Sequence, residues 1–126
     1  MIENKRTATI LKSWRRYPQC KCIKIAGGVF QERGLPDTLI IYKGITFFVE
    51  FKNKDTIYEP VQKQRRIELE EAGAHVYLVR FCSDNEWIVD DLLSIKFRSV
   101  EEGKRLLLTT LLELTKGGNE VLPLPS

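Results

Sequence analysis

The sequence predicts an α/β domain, on three observations. Residues 3–16 carry an apolar stripe at helical spacing, with Thr7, Ile10, Leu11 and Trp14 at i, i+3, i+4 and i+7. Two runs rich in β-branched and aromatic residues flank Lys43-Gly44. A proline-led helical segment and a further strand follow, so the order reads α-β-β-β-α-β and then helices. At 126 residues and 43% hydrophobic, the chain has enough apolar material to bury one core without disulfides or a structural metal.

The first helix is expected over Glu3 to Arg16, with Lys5, Lys12 and Arg16 opposite the apolar stripe and Pro18 ending it. Cys22 to Ala26 reads as a short strand, broken by Gly27-Gly28. Val29 to Pro36 reads as loop, and Asp37 to Tyr42 as a strand. Lys43-Gly44 forms a tight turn into a strand over Ile45 to Lys52. Pro60 opens a helix running to Ala72, with Gly73 as its stop. His75 to Phe81 is the next strand. Ser83-Asp84-Asn85-Glu86 matches a capping box, which predicts a helix through about Ile95. Ser99-Val100-Glu101-Glu102 repeats the pattern and opens a Leu-rich helix ending at Gly117-Gly118. The tail from Val121 is expected to fray. The division is a core over residues 1–98, with residues 99–126 either packing on it or forming a dimer interface.

Charge is unevenly placed. Residues 1–24 carry +6 and the rest of the chain −3. A basic N-terminal region suits a phosphate backbone, although a solvated helix face reads the same way. Three cysteines make no disulfide framework. That odd number, with no signal peptide, is expected of a reducing cytoplasm. Cys20 and Cys22 with one histidine do not make a zinc site, and no apolar run is long enough to span a membrane.

The chemistry is concentrated around the Lys43-Gly44 turn. A two-residue hairpin loop places Tyr42 opposite Ile45, Leu39 opposite Phe48 and, further along, Asp37 opposite Glu50. Opposed residues have Cβ atoms roughly 4.5–5.5 Å apart and share a face. Lys52, two residues beyond Glu50, shares it too. Paired acids beside a covered sheet need a counter-charge or a cation. Mg²⁺, with its preference for oxygen ligands and one or two carboxylates, fits the position, with Mn²⁺ as a substitute. Such an ion is a Lewis acid that acidifies water, and Lys52 could position the water or stabilise developing charge. The alternative is structural, a Glu50–Lys52 ion pair with Asp37 capping the loop after Pro36.

Pro36-Asp37 followed by Glu50-Phe51-Lys52 resembles the PD-(D/E)xK nuclease superfamily. Gly27-Gly28, Gly34-Leu35-Pro36-Asp37, Glu50-x-Lys52, Gln62, Gly73 and the strand Val76 to Val79 together resemble its VRR-NUC family. The resemblance spans roughly residues 3–95. It implies a restriction-endonuclease-like core, a mixed central sheet flanked by helices. It also implies a divalent metal held by Asp37, Glu50 and the Phe51 backbone carbonyl, a catalytic Lys52, a helix glutamine at Gln62, and a helix acid at Glu3. Gln62 lies on the side of Val61, Leu69 and Ala72, where a glutamine needs a polar partner; a half-exposed glutamine in a weakly amphipathic helix is the other reading.

Lys24, Gln31, Arg33, Lys54 and Lys63 flank the site in sequence and are candidate phosphate contacts. His75 is expected to be structural or exposed, and Trp14 and Trp87 to lie in the core. The resemblance further implies a metal-dependent DNA endonuclease, a homodimer acting on four-way junctions or other branched DNA in a bacterial or phage-infected cytoplasm. A catalytically inactive, nuclease-like DNA-binding module is the alternative, and the intact Asp37, Glu50 and Lys52 count against it.

Overall fold

The computed structural model describes residues 2–25 and 32–117, with side chains from residue 5 onward. The glycine break at 27–28, the candidate contact Gln31, the side chain of Glu3 and the tail from 121 lie outside the described residues. Among the described residues, three helices, α1 (Ile2–Trp14), α2 (Pro60–Glu71) and α3 (Val100–Lys116), accompany six strands. These are β1 (Cys20–Lys24), β2 (Thr38–Tyr42), β3 (Ile45–Asn53), β4 (Val76–Ser83), β5 (Glu86–Val89) and β6 (Leu93–Lys96). The strands form one sheet in chain order; β3 and β4 are parallel and every other pair is antiparallel. The parallel step requires a crossover, which α2 supplies.

Strand alternation decides which residues meet. Phe47, Val49 and Phe51 of β3 point to one face with Thr38, Ile40 and Tyr42 of β2, and all six are buried. On that face lie α1 and α3, whose Thr7, Ile10, Leu11, Trp14, Leu107, Leu108, Leu111 and Leu112 are also buried. Aromatic rings cross the sheet there from Trp14 to Phe51, Phe81, Trp87 and Phe97. Burying Phe51 commits its neighbours Glu50 and Lys52 to the opposite face, where α2 crosses. That helix fully buries none of its residues.

The Lys43-Gly44 turn forms as expected. Tyr42 pairs with Ile45, and both turn residues have positive φ (48° and 84°), the geometry of a type I′ hairpin. The Leu-rich helix packs on the sheet, and of its leucines only Leu114 is substantially exposed. Its N-cap is real, since the Ser99 hydroxyl accepts from the Glu102 N–H at 3.2 Å.

The helix expected from Ser83 to Ile95 does not form; the segment is the β5–β6 hairpin, and a single helix follows it. The Ser83 hydroxyl accepts from the Asn85 N–H, two residues on, making a turn instead of a cap. Asp84-Asn85 then joins β4 to β5 as a two-residue loop. Trp87 and Val89 are buried on the core face, while Glu86 and Ile88 alternate outward. Asp90 and Asp91, at φ 55° and 53°, reverse the chain again. Period-two burial of a short segment outcompetes a helix that would have had few turns to stabilise its nucleus.

Candidate active site

Asp37 immediately precedes β2 and extends its register toward Glu50. The Asp37 N–H donates to Glu50 Oε1 at 3.1 Å, and the Phe51 N–H donates to Asp37 Oδ2 at 3.3 Å. The Thr38 hydroxyl donates to Asp37 Oδ1 at 2.7 Å. Each acid is thus oriented by the backbone of the other's strand. The Phe48 N–H bonds across to His75 O on the β4 side. Alternation therefore turns the N–H and C=O of Phe51 to the β2 side, toward Asp37.

Lys52 Nζ lies 3.6 Å from Glu50 Oε2, and both residues are buried. Gln62 Nε2 donates to the same Oε2 at 3.1 Å, while Gln62 Oε1 accepts from the Glu59 N–H at 2.8 Å. Gln62 thereby does two things. It caps the N-terminus of α2 and fixes that end of the helix over Glu50. The cleft above has a volume of about 360 Å³ and is walled by Arg33, Gly34, Leu35, Val61 and Gln62, with Asp37 and Glu50 in its floor. Lys52 is not part of the cleft lining; its ammonium reaches the site beside Glu50.

Gly34 sets how closely the loop before β2 approaches α2. Its φ is 84°, and a Cβ there would sit 2.7 Å from the Val61 carbonyl oxygen. Arg65 joins the same two segments, donating to the Arg33 carbonyl at 3.1 Å and pairing with Glu32 and Glu68.

Sequence reasoning missed a set of buttresses. Arg66 pairs with Asp90 through two hydrogen bonds, of 2.8 and 3.0 Å, and Asp90 also accepts from the Leu78 N–H. Arg80, opposite Lys52 in the β3–β4 register, donates to the carbonyls of Asn53 and Thr56 and pairs with Asp91. It fastens the loop leading from β3 toward α2. Tyr58 is held near Arg66 and Glu50; burial pushes its hydroxyl pKa up, Arg66 opposes, and Glu50 and Asp90 push it further up. A charged residue inside strand β4 was the only sequence signal for Arg80.

The candidate phosphate contacts scatter. Arg33 lines the cleft. Lys54 is exposed just beyond β3, and Lys63 is exposed in the first turns of α2. Lys24 has the same parity as buried Cys22 and so lies on the α1 side of the sheet, away from Glu50. The backbone of α1 begins at the Asn53 end of the sheet, where Arg6 pairs with Asp84. His75 is exposed, and Trp14 and Trp87 are buried in the core. The three cysteines are free thiols. None of the described helices is long and apolar enough to cross a membrane.

Among the described residues, no group of three or more Asp, Glu, His or Cys side chains is placed to hold a metal. What the site offers is two carboxylates, each oriented by a backbone N–H, with the Phe51 carbonyl turned toward them. That oxygen set suits Mg²⁺, which keeps several waters and takes few protein ligands.

No protein-family model matches the sequence, and no curated protein matches it. Solved structures do match the fold. One, described as a VRR_NUC domain, superposes with a TM-score of 0.54 at 23% identity, over 64% of this chain and 85% of that one. Another is Hjc of Archaeoglobus fulgidus, a Holliday junction resolvase from an archaeal hyperthermophile. It gives a TM-score of 0.50 at 12% identity, over 74% of this chain and 85% of that one. The chain therefore has a VRR-NUC-like, restriction-endonuclease-like α/β fold, with Asp37, Glu50 and Lys52 gathered at one end of its central hairpin.

Proposed function

We propose that the protein is a divalent-metal-dependent DNA endonuclease. The observation that carries this is the convergence of Asp37, Lys52 and Gln62 on Glu50, with Asp37, Glu50 and Gln62 lining one cleft, on a fold shared with a VRR_NUC domain and a junction resolvase. Asp37, Glu50 and the Phe51 carbonyl are the residues that would hold Mg²⁺ or Mn²⁺. Bound there, the cation supplies Lewis acidity toward a phosphoryl oxygen and acidifies water. Lys52 donates hydrogen bonds to the attacking water or to a non-bridging oxygen whose charge grows in the transition state. Gln62 keeps Glu50 in register and places the wall of α2 against the substrate. Water oxygen bonds to phosphorus, the bond from phosphorus to the 3′ oxygen breaks, and the proton lost by the water is balanced by one taken up by that oxygen from solvent, which leaves a 3′ hydroxyl on the upstream fragment and a 5′ phosphate on the downstream one.

The resolvase likeness extends the proposal to branched DNA, cut by a homodimer. Two sites related by a two-fold axis would suit the symmetry of a four-way junction. The intact acid–acid–lysine set argues for catalysis over passive binding.

Incubation with supercoiled plasmid and with a labelled four-way junction, in Mg²⁺, Mn²⁺ or EDTA, tests the proposal. Cutting is expected with metal and not with EDTA, and Asp37→Ala or Lys52→Ala should lower the rate by about 10²-fold or more without loss of circular-dichroism signal. Folded variants that cut as fast as the parent would refute the site. DNA binding without cutting in any metal would refute the enzyme.

A further inference from the structure

Arg6, Arg65, Arg66, Arg80 and Lys104 each pair with an acid, whereas the exposed Arg33, Lys43, Lys54, Lys63, Lys96 and Arg98, spread over the rest of the fold, pair with none among the described residues. Lys12, Arg15, Arg16, Lys21 and Lys24 pair with none among the described residues, and all five are exposed. They belong to the segment that carries +6, and the fold brings its two elements side by side. The Arg15 guanidinium donates to the Cys22 carbonyl at 2.9 Å, joining the end of α1 to β1.

Between these elements runs a groove of about 400 Å³ lined by Thr7, Ala8, Leu11, Arg15 and Lys24. Lys12 does not line the groove; it is exposed one helical turn beyond Ala8, on the neighbouring stripe of α1. At its β1 end the groove is joined to the catalytic cleft through the backbone, although the two lie on opposite faces of the sheet. Lys24 pairs with Thr38, the neighbour of Asp37, and the Ile25 N–H donates to the Asp37 carbonyl at 2.8 Å. Ile25 itself lines the cleft.

We infer that the α1–β1 groove is a second DNA contact, which holds the phosphate backbone on the far side of β1 while the cleft engages the bond to be cut. This deepens the nuclease reading and rests on it for the identity of the polyanion. A thirteen-residue helix is about 20 Å long, which matches roughly six phosphate steps of one duplex strand at about 3.4 Å each. An anionic membrane fits less well. The apolar stripe of α1 is consumed in the core, so the helix has no face left to insert into lipid.

The test is DNA binding in EDTA, which needs no catalysis. Anisotropy of a labelled four-way junction is measured from low to high KCl for the parent, for Lys12→Ala/Lys24→Ala, and for the charge-matched control Lys96→Ala/Arg98→Ala at the opposite edge of the sheet. The groove variant should lose about 2 from the slope of log K against log salt, with affinity at low salt down about tenfold or more; the control should keep the parent's slope. Equal losses in groove and control variants would overturn the groove, as would a parent that does not bind DNA. Loss of anionic-vesicle binding in the groove variant, with DNA slopes unchanged, would also overturn it. A protein that cuts no DNA can still pass this test, and one that cuts normally can still fail it, so the two proposals are judged separately.

Discussion

Gln62 is the side chain on which the site's geometry turns. One of its amide atoms closes the N-terminus of α2 and the other grips Glu50 Oε2. Lys52 approaches that same oxygen at 3.6 Å, too long for a tight hydrogen bond. At Oε2 Gln62 is therefore the tighter of these two partners of Glu50. Gln62→Ala should cost about 1–2 kcal/mol of stability through the lost cap and hydrogen bond, measurable by urea denaturation. It should also slow metal-dependent cutting by about tenfold, the magnitude of an outer-shell substitution. A variant as stable and as active as the parent would show that the amide bridge is incidental. At this scale the sequence was informative for Asp37, Glu50 and Lys52, because a two-residue turn at Lys43-Gly44 sets their register locally. It was silent on Arg66 and Asp90, and Arg80 showed only as a charge inside a strand. Their roles depend on the parallel pairing of β3 with β4 and on where α2 crosses, neither of which is encoded in local spacing.

Among the elements, α2 holds its place with polar contacts more than with a buried face. Gln62 and Arg65 tie its N-terminal half to Glu50 and the 32–34 loop, and Arg66 ties it to Asp90. The loop can approach because residue 34 is glycine. Gly34→Ala combines a left-handed backbone with a methyl group 2.7 Å from a carbonyl oxygen. It should destabilise the fold by about 1–3 kcal/mol and reduce cutting by pushing the loop wall off α2. Thermal unfolding and initial rates measure the two effects, and an unchanged rate would show that the cleft does not depend on this contact. The β5–β6 hairpin shows the limit of cap motifs. Ser83–Glu86 and Ser99–Glu102 have the same pattern, yet only the second begins a helix. The second is followed by seventeen helical residues whose leucines bury against the sheet. The first is followed by alternation of Trp87 and Val89 with Glu86 and Ile88, which suits the next free sheet edge.

For the molecule as a whole, the sheet face under α1 and α3 supplies the core and the opposite face carries the proposed site. Burial on both sides raises the hydroxyl pKa of Tyr17, Tyr58 and Tyr77. Each therefore holds its proton more tightly folded than unfolded, where its value is near 10. The resulting stability is complete below about pH 10 and is lost as pH rises through the raised values. Denaturation midpoints should fall on the alkaline side, and Tyr58→Phe should flatten that fall. An identical pH profile in the variant would contradict the assigned environment of Tyr58.

The proposed activity requires the floor of the cleft to hold a divalent cation between Asp37 and Glu50. Titration of Mn²⁺ into the protein, with free ion followed by electron paramagnetic resonance, tests this without DNA or turnover. The parent should take up Mn²⁺, and Asp37→Asn/Glu50→Gln, checked for folding by circular dichroism, should lose that uptake. Equal uptake by the folded double variant, or none by the parent, would contradict it.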